Sequence, residues 1–480
     1  MTEQINVDVC VIGGGAAGLV VAAGASQMGS SAVLIEKGRM GGDCLNYGCI
    51  PSKSLLAAGR IAQLARTASR FGIELGEPKV DFAKVQAHVQ GVIDAIAPND
   101  SVERFVGLGV NVIQETARFI GRGRVAAGDV EVRARRFVIA TGSSPLVPPI
   151  KGIDSVPYFT NETLFANTAL PEHLVIVGGG PIGIEMAQAH RNLGSRVTVL
   201  EMDEFLARDD REAADILVDR LRGDGIDLLA GARVVEIAKR GNGIRGIRVT
   251  YETRGEDGTR RDIDGSHLLI AVGRKPSVEE LNLEAADVRY SARGIEVDRR
   301  LRTSNKKIFA IGDVTGSYQF THVAGYHAGI AIRNILFRLP AKVKTHAIPW
   351  VTYTDPELAH VGLTEAQARK EHGKIGVLRW PFGENDRAQS AHATDGLVKV
   401  ITGRKGKILG ATMLGPHAGD LIHPWVLAIA GGLKIGTMAG AIVPYPTYTE
   451  VSKRAAGSYY IPALTSKRTK RIVRLLARLG

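Results

Sequence analysis

VDVCVIGGGAAG, residues Val7–Gly18, decides the architecture. The apolar run Val7–Ile12 reads as a buried strand, and it enters a turn carrying Gly13, Gly15 and Gly18 at the start of a helical stretch. A second strand-like run, SAVLIE, then ends on Glu36. Each part serves the binding of a dinucleotide. The first glycine turns the chain tightly, the second lets backbone N–H groups approach a pyrophosphate, and the third lets helix and strand pack closely. The helix N-terminus attracts the phosphates, and the acid accepts a ribose hydroxyl.

The pattern occurs twice. LVIVGGGPIGIE sets Gly178, Gly180 and Gly183 behind the strand Leu174–Val177, and the next strand, RVTVLE, ends on Glu201. Gly13 to Glu36 spans 23 positions, and so does Gly178 to Glu201. The expected fold class is therefore α/β with two Rossmann-like dinucleotide-binding domains. A chain of 480 residues has room for about three domains, so a further one is expected. Hydrophobic content of 45% and charged content of 23% read as an ordinary globular protein. No apolar run reaches the roughly 18 residues a membrane span needs. The N-terminus moves straight into a strand without a targeting pattern, so a cytoplasmic protein is expected.

GGDCLNYGCIPSK, residues Gly41–Lys53, holds two of the three cysteines. Cys44 and Cys49 have three readings: a structural staple, metal ligands or a redox pair. A persistent staple does not suit a reducing compartment, and no neighbouring histidine or third cysteine completes a metal site. No metal is expected, and the redox pair leads. Two dinucleotides beside such a pair suggest an electron relay from nicotinamide through flavin to a disulfide.

From about Val7 to about Tyr460 the chain resembles the class I FAD-dependent pyridine nucleotide–disulfide oxidoreductases, among them dihydrolipoamide dehydrogenase, glutathione reductase and mercuric reductase. The resemblance is carried by GGDCLNYGCIPSK, ATGSSP (Ala140–Pro145), AVGRKPS (Ala271–Ser277) and IFAIGDV (Ile308–Val314). It implies that Cys44 is the interchange thiol and that Cys49 lies against the flavin in a charge-transfer contact. Lys53 would sit near flavin N5 with Glu185 as its carboxylate partner, and Asp313 would meet the ribityl chain. Contacts to the two cofactors are implied for Gly13, Gly15, Gly18, Glu36, Lys37, Gly42, Lys53, Ala117, Thr141, Gly142, Gly178, Gly180, Gly183, Glu201, Gly273, Arg274, Asp313 and His322. Residues five apart in a regular helix rise about 7.5 Å, beyond the roughly 7 Å that a disulfide tolerates. A distorted entry through Gly48 to a helix over Lys53–Phe71 is therefore expected, followed by a helix over Asp81–Ala97.

The expected organisation is an FAD-binding domain in two segments, 1–148 and 276–345, around an NAD(P)-binding domain, 149–275. An α+β dimerisation domain, 346–464, and a basic amphipathic tail, 465–480, complete the chain. Glu201 favours NADH over NADPH, because an acid there accepts the ribose 2′-OH and repels an added phosphate. Met202 replaces one of the basic residues that NADP-selective members carry just beyond it.

Two departures bear on the electron acceptor. In dihydrolipoamide dehydrogenase and glutathione reductase a His-Pro motif followed by a glutamate moves thiol protons across the dimer interface. Here VPYPTYTE keeps Glu450 but places Tyr445 at the histidine position. Tyrosine titrates near 10 and is a poor base at neutral pH. Mercuric reductase also has tyrosine there, yet this chain lacks that enzyme's C-terminal cysteine pair. The reading is thus an NAD(P)H-dependent flavoprotein reductase whose acceptor is a small disulfide, a quinone or a soft metal ion. Its alternatives are mercuric ion reduction and true dihydrolipoamide dehydrogenation despite Tyr445. A homodimer with an active site across its interface is implied.

The tail TSKRTKRIVRLLARLG, Thr465–Gly480, has six basic residues and no acid, half of the formal charge of +12. It reads as an element for a membrane surface or a partner, or as a segment packed on its own dimer. A peripheral location at the inner membrane surface, or a flavin-bearing module that binds there, follows from the first reading. Nucleic acid is not expected, since no aromatic or glycine-rich reader accompanies the charge.

Overall fold

The computed structural model describes residues 3–240, 246–254 and 258–479. The chain divides into two compact units. The first comprises Met1–Arg66, Gly76–Met202 and Gly231–Lys344, and the second Thr67–Leu75, Asp203–Ala230 and Thr345–Gly480.

In the first unit, the opening strand β1 (Glu3–Ile12) leads through the glycine turn into α1 (Ala16–Gln27) and β2 (Ala32–Ile35). The cysteine segment forms two helices, α2 (Gly42–Asn46) and α3 (Cys49–Thr67). The expected distortion is real: Tyr47 ends the first helix at φ −140°, and Gly48 separates it from the second. The long helix starts at Cys49, earlier than Lys53, because Pro51 suits its first turn. Helix α4 (Phe82–Ile96) begins where Asp81 accepts a hydrogen bond from Lys84 N at 3.2 Å. Beyond the short α5 (Val102–Gly107) come β3 (Asn111–Ile113), β4 (Ala117–Gly121), β5 (Arg124–Ala127) and β6 (Val130–Ile139).

These strands make one sheet in the order β3-β2-β1-β6-β5-β4, with Ile308–Ala310 also paired to β6. The strands around β1 are parallel and β4–β5–β6 is antiparallel. The side chains of β1 alternate between two cores. Val9 and Val11 pack with α1 and the helix Thr321–Ile335, and Cys10 and Ile12 pack with Phe119, Val125 and Phe137. Cys10 is fully buried, and burial pushes its thiol well above the usual range.

After β7 (Ser143–Pro145) and the one-turn α6 (Asn161–Leu164), the second fingerprint repeats the construction. Strand β8 (His173–Val177) enters α7 (Pro181–Leu193), and β9 (Arg196–Leu200) and His267–Ile270 flank β8 in parallel. An antiparallel sheet of Ala232–Lys239, Ile247–Thr253 and Arg260–Gly265 belongs to the same unit.

The second unit is built on a five-stranded antiparallel sheet. Its order is Pro349–Thr352, Glu357–Gly362, Ile408–Gly415, Leu397–Thr402 and Gly376–Pro381. Trp425, Phe382, Val451 and Ala455 fill its core. Lys399 is buried on this sheet and is matched by Glu365 at 2.7 Å, Asp210 at 2.9 Å and Glu212 at 3.0 Å, as a buried ammonium requires. The chain then runs through Glu450–Ser458 and Ile461–Leu464 to a last helix, Lys467–Leu476.

Candidate active site

The two fingerprints take the shape their spacing predicts. Gly13 has φ +109°, and an added Cβ would lie 2.4 Å from Ala140 O; Gly178 has φ +113° and would meet Ala271 O at 2.5 Å. Gly18 and Gly183 pack so closely on the turns before them that a Cβ would fall about 2 Å from a carbonyl oxygen (1.8 and 2.0 Å). Gly180 faces open space, and a Cβ on Gly15 would reach only Gly42 Cα, at 3.7 Å. Neither α1 nor α7 has a side-chain cap, which leaves the N–H groups of their first turns without a capping acceptor. The Glu36 carboxylate accepts from Gly14 N at 2.5 Å and Gly38 N at 2.7 Å, and Glu201 accepts from Gly179 N at 2.6 Å.

Beside the first turn lies a cleft of about 200 Å³ lined by Gly13, Glu36, Lys37, Ala117 and Thr141, all five expected to touch a cofactor. The Lys37 ammonium pairs with Glu280 at its rim. Glu115, Ser277 and Glu280 also line it; Ser277 closes the AVGRKPS motif, and nothing local in the sequence marks the two acids. A shaped cleft, two uncapped helix starts and glycines that no side chain could replace fit extended dinucleotides.

Cys44 ends up in α2 and Cys49 opens α3, both half-buried and both thiols. Their titrations diverge. The hydrogen bond that Cys44 supplies holds the Cys49 thiol down at about 6, against the desolvation that raises it. Thr321, whose Oγ1 lies 3.4 Å from Cys49 Sγ, and the Lys53 charge act in the same direction as Cys44. Cys44 is driven far upward, first by its bond to Cys49 and then by burial. One thiol of the reduced pair is therefore a thiolate at neutral pH and the other keeps its proton.

One turn into α3, Lys53 Nζ donates to Glu185 Oε2 at 2.7 Å. Glu185 sits in α7, its side chain 6% exposed, so the pair fixes the Lys53 ammonium against a buried carboxylate. Gly142, at φ +69°, leads into β7. There Ser143 Oγ donates to Asp313 Oδ2 at 2.7 Å, and burial pushes the Asp313 carboxyl up. Arg274, which follows Gly273 at φ +139°, donates to Ser143 Oγ and to Ser143 O, both at 2.8 Å. Arg274 also pairs with Asp43 at 3.0 Å, and Asn161 donates to Asp43 Oδ1 at 2.9 Å. A chain of polar contacts thus joins Asp313 to the residue next to Cys44. Asp43 also reaches over the turn between the cysteines, where a Cβ on Gly48 would lie 2.9 Å from Asp43 Oδ2. His322 is exposed and stacks on Phe320 with centroids 5.2 Å apart.

Cys44, Cys49, Lys53, Glu185, Arg274 and Asp313 thus lie in the first unit, and Tyr445 and Glu450 in the second. Tyr445 is 70% exposed and its hydroxyl donates to Asp386 Oδ2 at 3.0 Å. That bond, with a smaller repulsion from Glu450, holds the phenol protonated to higher pH than usual. Glu450 opens the helix Glu450–Ser458. Sequence reasoning missed Asp43, Asn161, Ser143 and Thr321. Asp43 and Ser143 lie within the quoted motifs GGDCLNYGCIPSK and ATGSSP, whereas Asn161 and Thr321 lie outside any of them.

Comparison with known proteins agrees with this geometry. Residues 7–328 match the family described as pyridine nucleotide-disulphide oxidoreductase, and residues 348–456 match the dimerisation domain of that family. A dihydrolipoyl dehydrogenase of Geobacillus stearothermophilus is 36% identical over 94% of this chain and 96% of its own length. A mercuric reductase of Bacillus cereus is 35% identical over 93% of this chain and 70% of its own length. Among solved structures, LpdA from Mycobacterium tuberculosis has a TM-score of 0.85 at 27% identity, covering 94% of this chain and all of that one (100%). The Cu(II) complex of the HOCl-induced flavoprotein disulfide reductase RclA from Escherichia coli has a TM-score of 0.82 at 29% identity, covering 93% and 99%.

Fold and site define a flavoprotein disulfide reductase, an enzyme. The chain belongs to the class I pyridine nucleotide–disulfide oxidoreductase family. Membership implies FAD and a nicotinamide nucleotide, and the dimerisation domain supports a homodimer. Among the described residues no helix is long and apolar enough to cross a membrane.

Proposed function

We propose that this enzyme uses NADH, through FAD and the Cys44–Cys49 pair, to reduce a soft metal ion, with quinones and small disulfides as lesser acceptors. Bound FAD supplies the passage of two electrons from the nicotinamide to the disulfide. The chain supplies the rest. Gly13, Gly15, Gly18 and Glu36 hold FAD, and Gly178, Gly180, Gly183 and Glu201 hold the nicotinamide nucleotide. Lys53, fixed by Glu185, is a standing cation that stabilises negative charge as it develops. Asp43, Arg274 and Ser143 fix the turn on which the thiols sit. Cys44 is the thiol that meets the acceptor, and Tyr445 and Glu450 face it from the partner protomer.

The observation that carries the choice of acceptor is the phenol of Tyr445, bound to Asp386 and held protonated. Reducing a disulfide to two thiols requires two protons to be delivered, and a histidine serves that traffic near neutral pH. Metal reduction needs none delivered to the acceptor: the Cys49 thiolate and the Cys44 thiol close to one disulfide, the Cys44 proton leaves to solvent, and the two electrons convert Hg²⁺ to Hg⁰ or two Cu²⁺ to two Cu⁺. Soft cations also prefer thiolate ligands. Relatives described as mercuric reductases, and the Cu(II) complex of RclA, support this reading.

The test is anaerobic reduction of the flavoprotein with NADH or NADPH, followed by Cu²⁺, Hg²⁺, a quinone, lipoamide and glutathione disulfide. NADH should reduce it faster than NADPH, and the metal ions should reoxidise it fastest. Rapid turnover of lipoamide with slow reoxidation by both metals would overturn the reading.

A further inference from the structure

The tail is ordered as a helix, yet among the described residues its apolar side chains stay largely exposed. Ser466 caps it, accepting from Thr469 N at 3.2 Å, and Thr469 Oγ1 donates to Ala463 O at 2.7 Å. Those bonds tie Lys467–Leu476 to the end of the second unit, where Val451, Ala455 and Ala456 are buried in the core. Beyond the tie, Ile472, Val473, Leu475 and Leu476 are 46%, 58%, 60% and 57% exposed, and Leu479 is 78% exposed. Ile461 and Leu464, just before it, are exposed as well. At 100° per residue Ile472, Leu475, Leu476 and Leu479 fall on one side. Lys467, Lys470, Arg471, Arg474 and Arg478 fall on the other.

Such a helix is poorly matched to water. Ten residues are too few to be stable alone. Lys467 with Arg471, and Lys470 with Arg474, stand four apart and repel. Lys467 and Arg468 also crowd the positive end of the helix. The helix calls for a surface that is apolar beneath and anionic above. A second copy of this chain offers the apolar part but brings the same six cations and the same net charge of +12. A bilayer with anionic headgroups offers both.

We infer that residues 465–479 are an interfacial anchor for an anionic lipid surface, the apolar side chains entering the acyl boundary and the six cations lying among phosphate headgroups. The attraction is about 1 kcal/mol for each Lys or Arg near such a surface, or roughly fivefold in binding. It is screened by salt.

The test is flotation of the FAD-loaded, full-length enzyme with vesicles of phosphatidylglycerol and phosphatidylcholine, or of phosphatidylcholine alone. Flotation should require phosphatidylglycerol, weaken with salt, and drop about fivefold for Arg471→Gln. It should vanish for a chain ending at Leu464 and for the exposed-face variant Ile472→Glu/Leu476→Glu, which disturbs no core. Dye reduction driven by NADH should be unchanged in all of them. Equal flotation of the variants, flotation indifferent to lipid charge, or no flotation at all would overturn the inference. A change of oligomeric state in either tail variant would overturn it in favour of an interface between copies. Retention by duplex DNA that vesicles do not compete away would do so in favour of nucleic acid.

Discussion

Replacing Cys49 with serine should lower acceptor reduction on the order of 10³-fold or more, the scale on which loss of a reacting nucleophile is felt. Cys49 is the sulfur that its surroundings hold as a thiolate near neutrality, through the bond from Cys44, the Thr321 hydroxyl and the Lys53 charge. Cys44→Ser should be as damaging to metal and disulfide reduction, since a lone thiol cannot return two electrons by closing a disulfide. A small dye that accepts electrons without the thiols should still be reduced by NADH in both variants, which separates lost chemistry from lost folding. The pH dependence has a definite sign. The thiol of Cys49 is depressed to about 6, so the thiolate is populated above that value and lost below it. Reoxidation of the reduced wild-type enzyme by Cu²⁺ should therefore slow as pH falls through about 6. Stopped-flow traces from pH 5 to 8 would show it, and a rate flat across that range would remove the role given to the thiolate.

Tyr445→His should raise dihydrolipoamide oxidation by roughly 10²- to 10⁴-fold, the range that a well-placed general base supplies. Tyr445 is exposed and its hydroxyl engages Asp386, so the exchange disturbs no core packing. An imidazole would titrate close to the working pH, with Glu450 still in place to orient it. Steady-state kinetics with dihydrolipoamide and NAD⁺ would measure the gain. A folded, FAD-loaded variant with unchanged turnover would mean that the shape of the site, and not the missing base, excludes this substrate.

The parts of the site legible in the sequence were those whose logic is local. A strand, a glycine turn, a helix and an acid follow one another within 23 positions, so Gly13, Gly18 and Glu36 could be assigned before any fold was seen. The break between Cys44 and Cys49 was legible for the same reason, since helix geometry forbids their bridging and Gly48 supplies the bend. What stayed hidden depends on tertiary approach. Asp43, Arg274, Ser143 and Asp313 lie in four separate segments, and only the folded sheet and its neighbouring turns bring them into one hydrogen-bonded chain. Thr321 reaches Cys49 because the helix it opens packs on α1. The amphipathic tail was readable as a pattern. That its apolar side chains stay largely exposed among the described residues required the structure.

The central claim is that Cys44 and Cys49 open and close as a disulfide under the control of the nicotinamide nucleotide. Differential alkylation read by mass spectrometry tests it directly. The enzyme is labelled as purified in air, and again after one equivalent of NADH without oxygen. Both cysteines should be protected before reduction and labelled after it, while Cys10, buried in β1, stays unlabelled in the native protein. If Cys44 and Cys49 label equally before and after NADH, the pair is not the redox centre and the account fails.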